Sequence, residues 1–127
     1  MAARILVVED HATMREAMRL VLEPEGYEVI EASDGDAALV AARDLRPDLV
    51  FLDLNIPGMS GVEVLAALKA VPETAEIRVI VVTATGEEAR ERMLKLGADG
   101  FFTKPFGPLA LLRTVERALG EPEAPGS

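Results

Sequence analysis

The sequence predicts an α/β fold, a parallel sheet covered by helices on both faces, and three observations carry that reading. Short apolar runs recur at Arg4-Ile5-Leu6-Val7-Val8, Leu49-Val50-Phe51-Leu52, Val79-Ile80-Val81-Val82 and Gly100-Phe101-Phe102-Thr103. Continuous runs of this length suit strands buried on both faces. Segments with apolar residues at helical spacing alternate with them from end to end. That alternation implies right-handed β-α-β crossovers and a parallel sheet.

The elements follow in order. After the first strand, Met14, Ala17, Met18, Val21 and Leu22 recur at helical spacing, with Thr13 as the expected N-cap. Pro24-Glu25-Gly26 stops that helix. Tyr27 to Ala32 is a short second strand, weaker than the others and therefore placed at an edge. Asp34-Gly35 turns into a second helix whose inner stripe is Ala38, Leu39, Ala42 and Leu45, and Arg46-Pro47-Asp48 leads into the third strand.

The segment from Asn55 to Gly61 is a loop, with one proline and two glycines. A third helix follows, with Val62, Leu65, Ala66 and the Lys69 methylenes facing inward. The fourth helix, from Glu87 to Leu96, has a thin stripe of Ala89, Met93 and Leu96. So little apolar area places it at the low-stability end of the domain, where moving elements are found. Leu111, Leu112, Val115, Ala118 and Leu119 make the last helix amphipathic, and the tail from Gly120 to Ser127 has no apolar pattern.

Composition narrows the function. The chain has 127 residues, half of them hydrophobic and 28% charged, as expected of one soluble globular domain. The absence of cysteine excludes disulfides, thiolate metal sites and thiol nucleophiles. No basic-then-apolar leader opens the chain, and no apolar run approaches the roughly 18 residues of a membrane span. A cytoplasmic location is the expectation. The net charge of −9 argues against nucleic-acid binding by this domain, since phosphate backbones are held by clustered Lys and Arg.

Polar residues just past the strand ends converge on one edge of such a sheet, where open α/β folds bind ligands. Glu9-Asp10 follows the first strand, Asp53 the third, Thr83-Ala84 the fourth and Lys104-Pro105 the fifth. A single acid there would be a strand-end cap. Three together repel unless a cation intervenes, and a hard divalent ion with oxygen ligands, Mg2+ above all, removes that cost. Lys104 could neutralise a carboxylate or hold an anion, with Pro105 fixing its direction and offering a candidate cis bond. The Thr83 hydroxyl could donate to a bound oxyanion beside the small Ala84, and Thr85-Gly86 makes the next loop pliable. Asp53 then has two roles open to it, metal ligand or nucleophile forming an aspartyl phosphate. His11, the only histidine, could tune the site but is expected to be a plain loop histidine at the start of the first helix.

These residues resemble a known family. Glu9-Asp10, Asp53-Leu54-Asn55-Ile56-Pro57-Gly58-Met59-Ser60-Gly61, Thr83-Ala84 and Gly97-Ala98-Asp99-Gly100-Phe101-Phe102-Thr103-Lys104-Pro105-Phe106 together look like the receiver domain of bacterial response regulators. The resemblance implies a flavodoxin-like (βα)5 fold with strand order 2-1-3-4-5, a receiver domain over 1–119, and a flexible tail or truncated linker over 120–127. It implies that Asp53 accepts a phosphoryl group from the phosphohistidine of a sensor histidine kinase or phosphotransfer protein. Asp10, Asp53 and the backbone carbonyl of Asn55 would bind Mg2+, or Mn2+ in its place, with Glu9 acting through water. Lys104 would pair with Asp53 or the phosphoryl group. Thr83 and Phe101 would form the switch that reshapes the face of the fourth helix, fifth strand and fifth helix toward a downstream protein or output domain. Such a domain catalyses only its own phosphorylation and dephosphorylation.

The departures from the family pattern also carry expectations. Phe101 stands where many receivers have Tyr, so its inward or outward preference comes from packing alone. Gly100-Phe101 replaces an Asp-Tyr, and Ala110 and Thr114 replace a Glu and an Arg used in dimer salt bridges of DNA-binding regulators. The dimer that those salt bridges support is not expected, and on that ground a stand-alone regulator is favoured over the receiver part of a longer protein. Asn55 and Thr85 lie where receivers tune their dephosphorylation. Two other classes fit these residues less well than the receiver. A haloacid dehalogenase-type phosphatase needs a second Asp where Asn55 stands, and a flavodoxin needs a phosphate-cradling loop where Glu9-Asp10 would repel one.

Overall fold

The computed structural model describes residues 2–84 and 87–120, Glu87 by its backbone alone. Five parallel strands, β1 (Arg4–Val8), β2 (Glu28–Ala32), β3 (Leu49–Asp53), β4 (Arg78–Thr83) and β5 (Gly100–Thr103), form one sheet of order β2-β1-β3-β4-β5. This is the flavodoxin-like order expected from the resemblance, with β2 at one edge and β5 at the other. Among the described residues six α-helices accompany it, α1 (Ala12–Leu22), α2 (Gly35–Leu45), α3 (Gly61–Ala70), α4 (Pro72–Ala75), α5 (Glu87–Lys95) and α6 (Pro108–Leu119), with a 3-10 turn Glu23–Glu25 after α1. None of the described helices is long and apolar enough to cross a membrane.

Strand alternation divides the core in two. Leu6, Val8, Val50, Leu52, Val79 and Val81 point to one face, where Ala38, Ala42, Val64, Leu65, Leu68 and Met93 from α2, α3 and α5 cover them. Ile5, Val7, Leu49, Phe51, Ile80 and Val82 point to the other, under Met18 and Leu22 of α1 and Leu111 and Val115 of α6. The largest of these side chains are completely buried, Phe51 among them. Each such burial contributes about 1.5–3 kcal/mol, so the sheet's position is over-determined.

Several predicted details are corrected. Thr13 is not the cap of α1 but lies within it; the cap position is His11, two residues earlier, with no side-chain cap bond. Ala17, Leu45, Ala66 and Leu96 are exposed. In α3 the buried positions are Gly61, Val64, Leu65 and Leu68, and a capping box at Ser60 opens the helix. There the Ser60 hydroxyl accepts from Glu63 N at 3.2 Å while Glu63 Oε1 accepts from Ser60 N at 2.9 Å. The second strand begins at Glu28 rather than Tyr27, and Gly61 belongs to α3 rather than to the loop.

The short helix α4 was not anticipated, so the predicted fourth and fifth helices are α5 and α6. Its four residues are too few to show a period. Pro72 starts it, and the buried Thr74 hydroxyl donates to Leu68 O at 2.7 Å. Asp34 does cap α2, its carboxylate accepting from Ala37 N at 2.8 Å. The Thr85-Gly86 loop and the tail over 121–127 lie outside the described residues.

Candidate functional site

The parallel register sets the C-terminal ends of β1, β3 and β4 side by side, with Val8 opposite Leu52 and Asp53 opposite Val82. Thr83 ends β4 opposite Thr103 of β5. Glu9, Asp53 and Thr83 are buried there, while Asp10 and Asn55 are exposed.

Lys104 joins the two buried carboxylates. Its Nζ donates to Glu9 Oε1 and to Asp53 Oδ2, each at 2.7 Å. Its backbone N donates to Thr83 O at 2.9 Å, which ties the lysine loop to the end of β4. The Lys104–Pro105 peptide bond is cis. Burial pulls the Lys104 pKa down, but the hydrogen bonds to Asp53 and Glu9 and their negative charges outweigh it, and the net shift is upward.

The other oxygens of both carboxylates are also engaged. Asp53 Oδ1 accepts from Asn55 N at 2.9 Å. Glu9 Oε2 accepts from His11 N at 3.2 Å, and His11 Nδ1 lies 2.8 Å from the same oxygen. Asp10 Oδ1 is 3.2 Å from that ring nitrogen. His11 is therefore part of the site, correcting the expectation of a plain loop residue. Its hydrogen bond to Glu9, then the charges of Asp10 and Glu9, raise its pKa above the ordinary value.

Arg15 was missed by the sequence reading. Its Nη1 donates to Glu9 O at 2.7 Å and its Nε to Glu31 Oε1 at 2.8 Å, so it ties the turn carrying Glu9 and Asp10 to edge strand β2. Arg19 reaches the same Glu31 at 2.7 Å. Two arginines four apart on a helix beside an edge strand were the available signal. Phe101, half-buried in β5, packs on the core face shared with Met93 and pairs with Val81, two residues from Thr83.

The donor set suits a hard cation. Glu9, Asp10 and His11 offer ligand atoms within 4.8 Å of one another. Asp53 faces Glu9 across an ammonium group, so one positive charge is already accommodated between two buried carboxylates. That is the chemistry a divalent ion with oxygen ligands meets. A hollow of about 800 Å3 lies at the opposite, N-terminal end of the strands around Arg46, Asp48 and Arg78 and includes none of the site residues.

Comparisons with known proteins show the family and the fold. Residues 5–116 match the response regulator receiver domain. The chain is 43% identical over 120 residues to the phosphate regulon transcriptional regulatory protein PhoB of Escherichia coli (strain K12), covering 94% of this chain and 52% of that protein. It is 40% identical over 120 residues to the DNA-binding response regulator MtrA of Mycobacterium leprae (strain TN), with 94% and 52% covered. The chain thus spans about half the length of the curated relatives it matches. Among solved structures, the chemotaxis response regulator CheY4 of Vibrio cholerae superposes with TM-score 0.88 at 32% identity, covering 94% of this chain and all of that one. A CheY-like receiver domain protein from Methanospirillum hungatei JF-1 gives 0.87 at 28%, with 94% of each chain covered.

Proposed function

The chain belongs to the response regulator receiver domain family of two-component signalling, and on that basis we propose that Asp53 is its phosphoacceptor, charged in a Mg2+-dependent reaction by a sensor histidine kinase or phosphotransfer protein. The observation that supports this most directly is the Lys104 ammonium held 2.7 Å from both Glu9 and Asp53. A buried carboxylate already matched to an ammonium cation has beside it the charge that a transferring phosphoryl group needs.

In the proposed reaction an Asp53 carboxylate oxygen attacks phosphorus. The phosphorus–nitrogen bond of the donor phosphohistidine breaks, and the electron pair leaves with the imidazole, which takes up a proton. Asp10, Asp53 and the Asn55 carbonyl would hold the Mg2+, with Glu9 acting through water; Mn2+ could replace it. The ion supplies neutralisation of charge on the transferring phosphoryl oxygens. Lys104, donating now to Asp53, turns to a phosphoryl oxygen once the carboxylate is esterified. The Thr83 hydroxyl turns toward another, and Phe101 moves into the space released. The bistable face is then α5, β5 and α6, read by a downstream protein or output domain. Hydrolysis of the acyl phosphate returns the domain to rest, a self-directed chemistry rather than turnover of an external substrate. The 1–119 segment would act as the receiver, with 120–127 as tail or linker.

Intact mass after incubation with Mg2+ and acetyl phosphate tests this on wild type and Asp53→Asn. A gain of about 80 Da, the mass of one phosphoryl group in an acyl-phosphate intermediate, is expected only for wild type with metal. Absence of both the adduct and beryllofluoride binding would overturn the assignment.

A further inference from the structure

Lys104 carries its ammonium on a flexible four-carbon stem, and a free stem would let that group wander. Beside the carboxylate pair lies a hollow of about 10 Å3, bordered by Lys104 and Asp53 and walled by Met14, Phe51, Val82 and Phe106. That volume is at the lower limit for one water, so these side chains pack closely around the lysine. Phe51 and Val82 belong to the central strands β3 and β4. Met14 and Phe106 come from outside the sheet, one from α1 and the other from the segment between β5 and α6. Both are half-buried and pack on the core face that α1 and α6 cover. Phe106 is held in turn by Phe102 of β5, the ring centroids 4.8 Å apart at 43°, a tilted arrangement that aromatic pairs favour. That contact spans Lys104, so it closes the chain on either side of the lysine.

We propose that Phe106 and Met14 are positioning residues for Lys104: Phe106, braced by Phe102, and Met14 wall its stem and hold the ammonium where a phosphoryl oxygen on Asp53 arrives. This role rests on the reading of Asp53 as phosphoacceptor, and names the residues that prepare Lys104 for that step. The two carboxylates do not suffice. Once Asp53 is esterified, one of the two hydrogen bonds that anchor the ammonium changes partner, whereas contacts along the stem persist through the reaction. A long side chain laid along apolar surface has given up its rotamer freedom beforehand, so less is lost on reaching the transition state. Were the wall only core filling, its loss would lower stability and leave the ammonium where its hydrogen bonds put it.

NMR of the full chain with lysine labelled at Cε tests it without any phosphodonor. The lysines are Lys69, Lys95 and Lys104, and Lys104→Met assigns the signal. A held stem keeps the two ε-methylene protons of Lys104 inequivalent. In Phe106→Ala and Met14→Ala they should collapse to one shift, and Phe106→Tyr, which keeps the ring, should restore the wild-type pattern. The rate of adduct formation with acetyl phosphate at saturating Mg2+ should fall roughly tenfold to a hundredfold in Phe106→Ala, with Mg2+ affinity no weaker than in wild type. Val115→Ala opens the same core without bordering the hollow, so it should lower the melting temperature and keep both pattern and rate; circular dichroism checks that each variant folds. Equivalent protons in wild type, or inequivalence retained in both alanine variants, would overturn the proposal. So would Mg2+ binding that weakens in step with the rate, an equal rate loss in Val115→Ala, or no rescue by Phe106→Tyr. Collapse in the alanine variants of a protein that takes no adduct removes the Asp53 assignment alone. Adduct in wild type with unchanged patterns in the variants removes only the positioning role.

Discussion

The Nζ of Lys104 sits 2.7 Å from Asp53 Oδ2 although the two residues are 51 positions apart in the chain. The same nitrogen bridges to Glu9 at an equal distance, 95 positions away. Two buried carboxylates share one ammonium, which offsets only part of their charge, so removing the cation leaves like charges facing each other.

Lys104→Met is therefore expected to lower stability by about 1–2 kcal/mol at neutral pH, less than a fully buried pair because the lysine keeps some contact with water. Mg2+ should raise the melting temperature of the variant more than that of wild type, since the ion then takes over neutralisation. Thermal unfolding with and without Mg2+ measures both. An equal or smaller Mg2+ shift in the variant would show that the lysine and the ion do not share the site.

His11 is expected to titrate above its unperturbed value of about 6.5, owing first to its hydrogen bond to Glu9 and then to the charges of Asp10 and Glu9. The raised folded pKa means that its stabilising contribution is complete below the unfolded pKa. It is lost as pH rises through the folded pKa. An NMR titration of the imidazole follows this directly, and Glu9→Gln should move the midpoint down. A midpoint at or below the unperturbed value would contradict the geometry.

Arg15 holds the backbone oxygen of Glu9 and the carboxylate of Glu31 at once. Arg15→Gln should weaken Mg2+ binding about tenfold, as loss of a group supporting metal ligands commonly does. Calorimetric titration with Mg2+ reads the change, with circular dichroism to confirm the fold. Unchanged affinity would mean that the turn carrying Glu9 and Asp10 is positioned by its strand alone.

Gly61 begins α3 directly beneath the Asp53 loop. A Cβ there would come within 2.5 Å of Leu54 Cα and 2.7 Å of Asp53 O, both backbone atoms that cannot swing aside. Gly61→Ala should destabilise the fold by about 1–3 kcal/mol, seen as a lower urea midpoint. A midpoint equal to that of wild type would show that the loop yields without loss.

Much of the fold was legible because its signals are local. The strand runs are short and apolar, and alternation with helical spacing needs no long-range information. The weak second strand was placed at an edge from its own composition, and β2 lies there. The inner faces of α2 and α3 were partly misread. Leu45 fits the helical period yet is 41% exposed. It sits in the last turn of α2, where its burial depends on how far neighbouring elements extend. Lys69 was read for its methylenes, but its ammonium donates to Ala75 O at 3.2 Å and Ile77 O at 2.9 Å, stitching α3 to the unpredicted α4.

By itself, the sequence determined which polar residues stand at strand ends: Glu9, Asp10, Asp53, Thr83 and Lys104. A parallel sheet with right-handed crossovers carries every strand's C-terminal end to the same edge, whatever the details of packing. Tertiary structure alone decided what those residues do to one another. The Lys104 bridge, the Arg15 tether on Glu9 and the meeting of Met14 and Phe106 beside Lys104 depend on strand register and on the packing of α1 and α6 against the sheet. Those are properties of distances between elements remote in the chain, and no window of residues contains them.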